Sequence, residues 1–165
     1  MTTRWAKLLL AAGIAVYYTL VVFGNLTDFD SNYQFVRHVL LMDSTFPGDQ
    51  GMWRAIHSPS LHLAFYWTII VWEIASMVLT WWGAANLVRA VRAPANVFNA
   101  EKRMAVIALT LSLLMWLVAF IDIGGEWFMM WQSSTWNGQA QAFRMFAIIG
   151  LALLLLLQPD SDSQA

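Results

Sequence analysis

Four apolar stretches, each near or above the length of a bilayer crossing, constrain this chain more than any other feature. A hydrocarbon core takes about 20 apolar residues as helix, at a rise of 1.5 Å per residue. The stretches run approximately over residues 5–26, 60–88, 104–131 and 140–158. The first has no charge after Lys7, and the second is interrupted only by Glu73. The third is apolar until Asp122 and Glu126, and the fourth carries Arg144 in its first turns. Of 165 residues, 59% are hydrophobic and 12% charged, against roughly a quarter charged in a soluble domain. So short a chain cannot hide that much apolar surface in a water-soluble core. The reading is all-α: one transmembrane domain over residues 1–165, an integral membrane four-helix bundle in the lipid bilayer.

Several function classes fall away at once. The absence of cysteine excludes a disulfide scaffold, a Cys-ligated metal or iron–sulfur centre, and a thiol nucleophile. A net charge of −1 gives no reason to expect nucleic acid. Arg4 and Lys7 resemble the start of a signal peptide, but the apolar run is long and no small-x-small site closes it before Asn25. An uncleaved first helix is therefore expected. Arg4, Lys7, Arg89, Arg92, Lys102 and Arg103 fall on one side of the membrane, against Arg37, Arg54 and Arg144 on the other. The positive-inside rule then predicts cytoplasmic N- and C-termini, with residues 27–59 outside. The acidic tail Asp160-Ser161-Asp162-Ser163 weighs little in that rule.

The connections differ in content. Arg89 to Arg103 reads as a short basic turn broken by Pro94, and Gln132 to Gln139 as a polar turn around Asn137-Gly138. In the extended outer loop, Phe29, Tyr33, Val36 and Leu40 recur at helical spacing, with Phe35, Val39 and Met42 widening the stripe. This predicts a short amphipathic helix on the outer face, ending before Phe46-Pro47-Gly48. Ser58-Pro59 fits the cap and first position of the second span.

Helices in lipid associate through small and polar residues, so inward faces can be read from the spacing of such residues. The second span offers His62, Tyr66, Ile69, Glu73, Ser76, Thr80 and Gly83. The third offers Ala105, Ala108, Ser112, Met115, Ala119, Asp122, Glu126 and Met129, and the first Gly13, Tyr17, Leu20 and Gly24.

Ionisable groups inside a membrane cost roughly 2.5–3.5 kcal/mol each on insertion scales. Glu73 lies about 18 Å along its helix from the outer end, near mid-membrane. It reads either as a proton site, cation site or ligand anchor, or as a protonated acid hydrogen-bonded to a neighbouring helix. Asp122 and Glu126, four apart, stack on one face. Arg144 enters from the same side, and its forked guanidinium can bridge carboxylates; a clamp between the third and fourth spans is expected, with Glu126 as first partner and a polar pocket as the sharper version. His62 alone of the three histidines lies on an inward stripe, which disfavours a bis-His haem. His38 and His57 near Asp28, Asp30, Asp43 and Asp49 read as solvated loop residues, with no metal site. Trp5, Trp81, Trp82, Trp127, Trp131 and Trp136 suit an aromatic belt, while Trp67, Trp72 and Trp116 lie deeper as packing or lipid-facing groups. No catalytic motif is visible, and no cofactor is expected.

The segments Gly124-Gly125-Glu126-Trp127-Phe128, Met130-Trp131-Gln132-Ser133 and Trp136-Asn137-Gly138-Gln139 resemble the signature of a bacterial family of predicted small integral membrane proteins, a domain of unknown function. Asn25 to Asp28, Phe35 to Pro47, Ile70 to Glu73 and Gly83-Ala84 are similar to it as well, so the resemblance spans essentially the whole chain. It implies a four-helix protein of the bacterial inner membrane and brings no activity, cofactor or catalytic residue with it. The expected function is a non-enzymatic accessory or interaction subunit, working through a membrane-protein partner or as a homo-oligomer. The alternative is an oligomeric carrier or channel for a small solute or proton, using the intramembrane carboxylates. A quinone- or haem-linked redox protein would need ligands that the sequence barely supplies.

Overall fold

The computed structural model describes residues 1–162; Ser163, the last residue of the acidic tail read above, lies outside the described residues. Five helices follow in order: α1 (Thr2–Thr27), α2 (Phe29–Leu41), α3 (Pro59–Ala90), α4 (Ala95–Leu114) and α5 (Gln139–Leu157). α4 continues without a break as a π-helical segment, Met115–Trp127. Single 3₁₀ turns stand at Met52–Arg54 and Met130–Gln132, and there is no strand among the described residues. Four helices, Thr2–Thr27, Pro59–Ala90, Ala95–Trp127 and Gln139–Leu157, are long and apolar enough to cross a membrane. α1 packs on α3, α3 on α4, and α5 on both α4 and α1, closing an up-down-up-down bundle. The start of α1 and the end of α5 therefore lie at one end, here the termini end, and the two long connections at the other, the loop end.

Pro59 begins α3 after the cap residue Ser58, because its fixed φ and missing N–H suit a first helical position. The connection expected from Arg89 to Arg103 is much shorter: α3 runs to Ala90, Pro94 caps α4, and only residues 91–94 turn. The inward stripe of α3 is nearly as its spacing predicts: His62, Tyr66, Glu73, Ser76, Thr80 and Gly83 are buried, with Ile70 taking the place of the partly buried Ile69. A Cβ on Gly83 would stand 2.6 Å from the Cα of Ala105, so the missing side chain lets α3 and α4 touch backbone to backbone.

On α1 the expected face is wrong by a fraction of a turn. Gly13 has nothing within 4 Å of a built Cβ and Leu20 is exposed. The buried stripe is Ala11, Ile14, Ala15, Tyr18, Val22 and Asn25. The close contacts are carried by alanines, and the two glycines that drew attention, Gly13 and Gly24, pack against nothing. On the third span the stripe holds through Ala105, Ala108, Ser112 and Met115, then departs. A π-turn closes its hydrogen bonds from i to i+5 and so packs more residues per turn than 3.6; Phe128 N–H donates to the carbonyl of Ile123 at 2.9 Å in that pattern. The inward positions then become Trp116, Gly124 and Gly125, and Asp122 and Glu126 rotate to the exposed side.

α2 lies across the loop end and buries Val36, Val39 and Leu40 against Tyr66, Ile70, Phe128 and Met130. The rest of the first connection is stitched to the third. Ser44 Oγ donates to Ser133 Oγ at 2.7 Å, and the Phe46 N–H to Gln132 Oε1 at 2.8 Å. Arg54 Nη1 donates to the Trp127 carbonyl at 3.0 Å, its guanidinium between the rings of Trp53 and Trp127.

Candidate functional site

Two helices bring three polar residues together beneath the loop end. Asn25 stands two turns after buried Tyr18 on the inward stripe of α1, and Glu73 stands two turns after Tyr66 on that of α3. Asn25 Nδ2 donates to Glu73 Oε2 at 2.5 Å, and the Tyr66 hydroxyl donates to the Asn25 backbone carbonyl at 3.3 Å. Glu73 is 3% exposed. Its second oxygen, Oε1, receives no hydrogen bond from any described group, and no described Lys, Arg or His pairs with the carboxyl. That oxygen is accessible from the space above it and not sealed in the core, so it is open to a donor that enters there.

Above Glu73 lies a cavity of about 410 Å³, within the range of small-molecule sites. Its floor is Glu73, Asn25 and Trp116, all buried, and its rim carries the exposed Asn32, Thr135 and Asn137. Aromatic side chains form much of the wall: Phe35, Tyr66, Trp116, Phe120 and Trp136. Trp136 is held in place by stacking on His38, ring centroids 4.6 Å apart, and His38 Nδ1 in turn lies 2.7 Å from Asp43 Oδ2. Below the floor the bundle is filled: Tyr18, Ser76, Thr80, Ser112 and Met115 are fully enclosed, with the Trp116 indole donating to the Tyr18 hydroxyl at 3.1 Å.

The structure does not bring the five expected polar residues together. Glu73 alone reaches the cavity. His62 is buried on the same helix, but its Nε2 meets the Ile56 carbonyl at 2.7 Å, tying the start of α3 to the loop. Asp122, Glu126 and Arg144 are exposed and form no ion pair with one another, so the expected clamp is absent. The π-helical turn of the third span's face explains this. The arginine that does reach the end of that span is Arg54, which binds the Trp127 carbonyl and no carboxylate.

Asn25 was missed because the face of α1 was set by its glycines; the i, i+7 relation to Tyr18 is the signal that places it. A second polar cluster, at the termini end, was also missed. Arg4 and Lys7, read only as flanking charge, are each 4% exposed. Lys7 Nζ meets Asp160 Oδ2 at 2.6 Å, and Lys102 pairs with the same carboxylate. Arg4 meets Asp162 at 3.0 Å and lies over the Phe98 ring. Asn99 closes the cluster, its side chain exchanging hydrogen bonds with the Asp160 backbone at 2.8 and 3.0 Å. The chain after α5 is thereby fastened to α1 and α4.

Residues 3–159 match the profile of a family described as predicted small integral membrane proteins, a domain of unknown function. Comparison with curated proteins and with solved structures finds no match.

Proposed function

The chain belongs to that family of small integral membrane proteins, and on that footing we propose that it is a non-enzymatic accessory subunit which binds a small organic cation at its loop end. The observation that carries this reading is the unpaired Glu73 Oε1 at the floor of an aromatic-walled cavity. A buried carboxylate calls for a positive partner, and aromatic faces attract cations, most strongly where water is displaced. A protonated amine can donate to Oε1 while its carbons lie against Tyr66, Trp116 and Trp136. Conduction through the bundle has less support, because the layer below Glu73 is filled by Tyr18, Ser112 and Met115.

The asymmetry of Lys and Arg favours a loop end outside and both termini in the cytoplasm of a bacterial cell, with the chain in the inner membrane. The accessory role is exercised through a membrane-protein partner or a second copy of the chain. Titration of the protein in nanodiscs with ethylammonium is expected to give saturable binding, weakened at least tenfold by Glu73→Gln. That change keeps a similar shape and removes the charge. Equal binding by the variant, or none by the wild type, would overturn the reading.

A further inference from the structure

A second cavity adjoins the first. It measures about 150 Å³ and lies between α2, α3 and the π-helical segment. Val39, Leu40, Phe65, Trp72, Ala119 and Phe128 line it, and the two cavities share Phe35, Val36, Ile69 and Phe120 as a common wall. Thr68 brings a hydroxyl to the lining, and it donates to the Ala64 carbonyl of its own helix at 2.9 Å. The Trp72 indole N–H is likewise spent, on the Leu111 carbonyl at 3.0 Å. The lining is therefore apolar, and the chamber opens on the outer side of the bundle, where the exposed Phe65, Thr68 and Ile123 edge it. A space of about 150 Å³ has room for one benzene-sized group.

We infer that the two cavities form one site in two compartments, and that the ligand is an organic cation carrying a single benzene-sized apolar arm. This rests on the cation reading of the Glu73 cavity. The head donates to Glu73 Oε1 in the polar compartment, and the arm enters the apolar one past the shared wall. Phe35 and Phe120 belong to that shared wall and are only partly buried, and the two-compartment site requires one of these rings to turn aside. The division sets specificity. A bare ammonium leaves the apolar chamber empty, and a neutral arene leaves Oε1 unpaired. One compartment offers a carboxyl among aromatic rings and the other only apolar groups, and together they select a molecule that has both ends.

The test compares ethylammonium with 2-phenylethylammonium on the full chain in nanodiscs. Burying the ring is expected to tighten binding about ten- to hundredfold. Ala119→Leu, or independently Val39→Phe, fills the apolar chamber from a different element without touching the first cavity. Either variant is expected to abolish the gain while ethylammonium binds as before. A gain below threefold, or one that survives both fillings because the arene merely partitions into lipid, would overturn the two-compartment site and leave the Glu73 reading intact. Binding of neither probe would overturn both. Should one filling variant fail to fold, the other decides.

Discussion

Burial alone would favour a neutral Asp160, yet hydrogen bonds from Lys102 and Lys7 outweigh it and hold this carboxyl below the usual carboxylate range. Its pKa in the folded chain thus lies below that in the unfolded chain, about 3.9. A group shifted this way contributes stability that is present above the unfolded pKa and is lost as pH falls through the folded one. Thermal unfolding in detergent is therefore expected to show a stability that declines below about pH 4, and Asp160→Asn should flatten that decline. At pH 7 the same variant leaves Lys7 and Lys102 buried side by side, a loss of about 3–5 kcal/mol. An Asp160→Asn chain as stable as wild type at neutral pH would show that the cluster contributes nothing. At the loop end Glu73 is the counterpart: it has one neutral partner, Asn25, where Asp160 has two cations. One carboxylate is satisfied within the fold, and the other is left able to accept a ligand.

At the scale of elements, the third span decides which sequence patterns could be read. The four crossings, the amphipathic α2 and the Ser58-Pro59 start of α3 were legible because length and a 3.6-residue period survive in the fold. The stripe of α3 was legible for the same reason. The π-helical winding from Met115 to Trp127 was not, since no residue type marks a change from i+4 to i+5 bonding; past Met115 the projected Asp122 and Glu126 turn out to be exposed, while Ala119 and Met129 stay partly buried. On α1 the error was chemical: glycine was taken as the packing residue where alanine packs and Asn25 bonds. Exposed charges without a partner are worth about 1 kcal/mol or less. Arg144→Ala and Glu126→Ala should therefore each shift stability little, and the double variant should equal their sum. A coupling well above that, measured by thermal unfolding of all four chains, would restore the clamp.

The whole molecule is a bundle closed differently at its two ends. Ion pairs fasten the chain after α5 at the termini end, and aromatic stacking with loop-to-loop hydrogen bonds roofs the other. A filled layer through Tyr18 and Ser112 separates them. The candidate site was half legible: Glu73 announced itself as a charge in mid-span. Its partner and its aromatic walls come from α1, α2, α3, the π-helical segment and the segment before α5, which only the fold brings together. In the proposed function the Glu73 cavity opens outward and holds a cation. The chain has no cysteine of its own, so a single Gln141→Cys on the cavity wall reports cleanly. Its rate of labelling by a membrane-impermeant thiol reagent in intact cells is the most direct measurement, with Asn96→Cys as the opposite-end control. The expected result is labelling of Gln141→Cys from outside, slowed several-fold by ethylammonium, while Asn96→Cys reacts only after permeabilisation. Labelling of Gln141→Cys only in permeabilised cells, or at a rate that ethylammonium leaves unchanged, would contradict it.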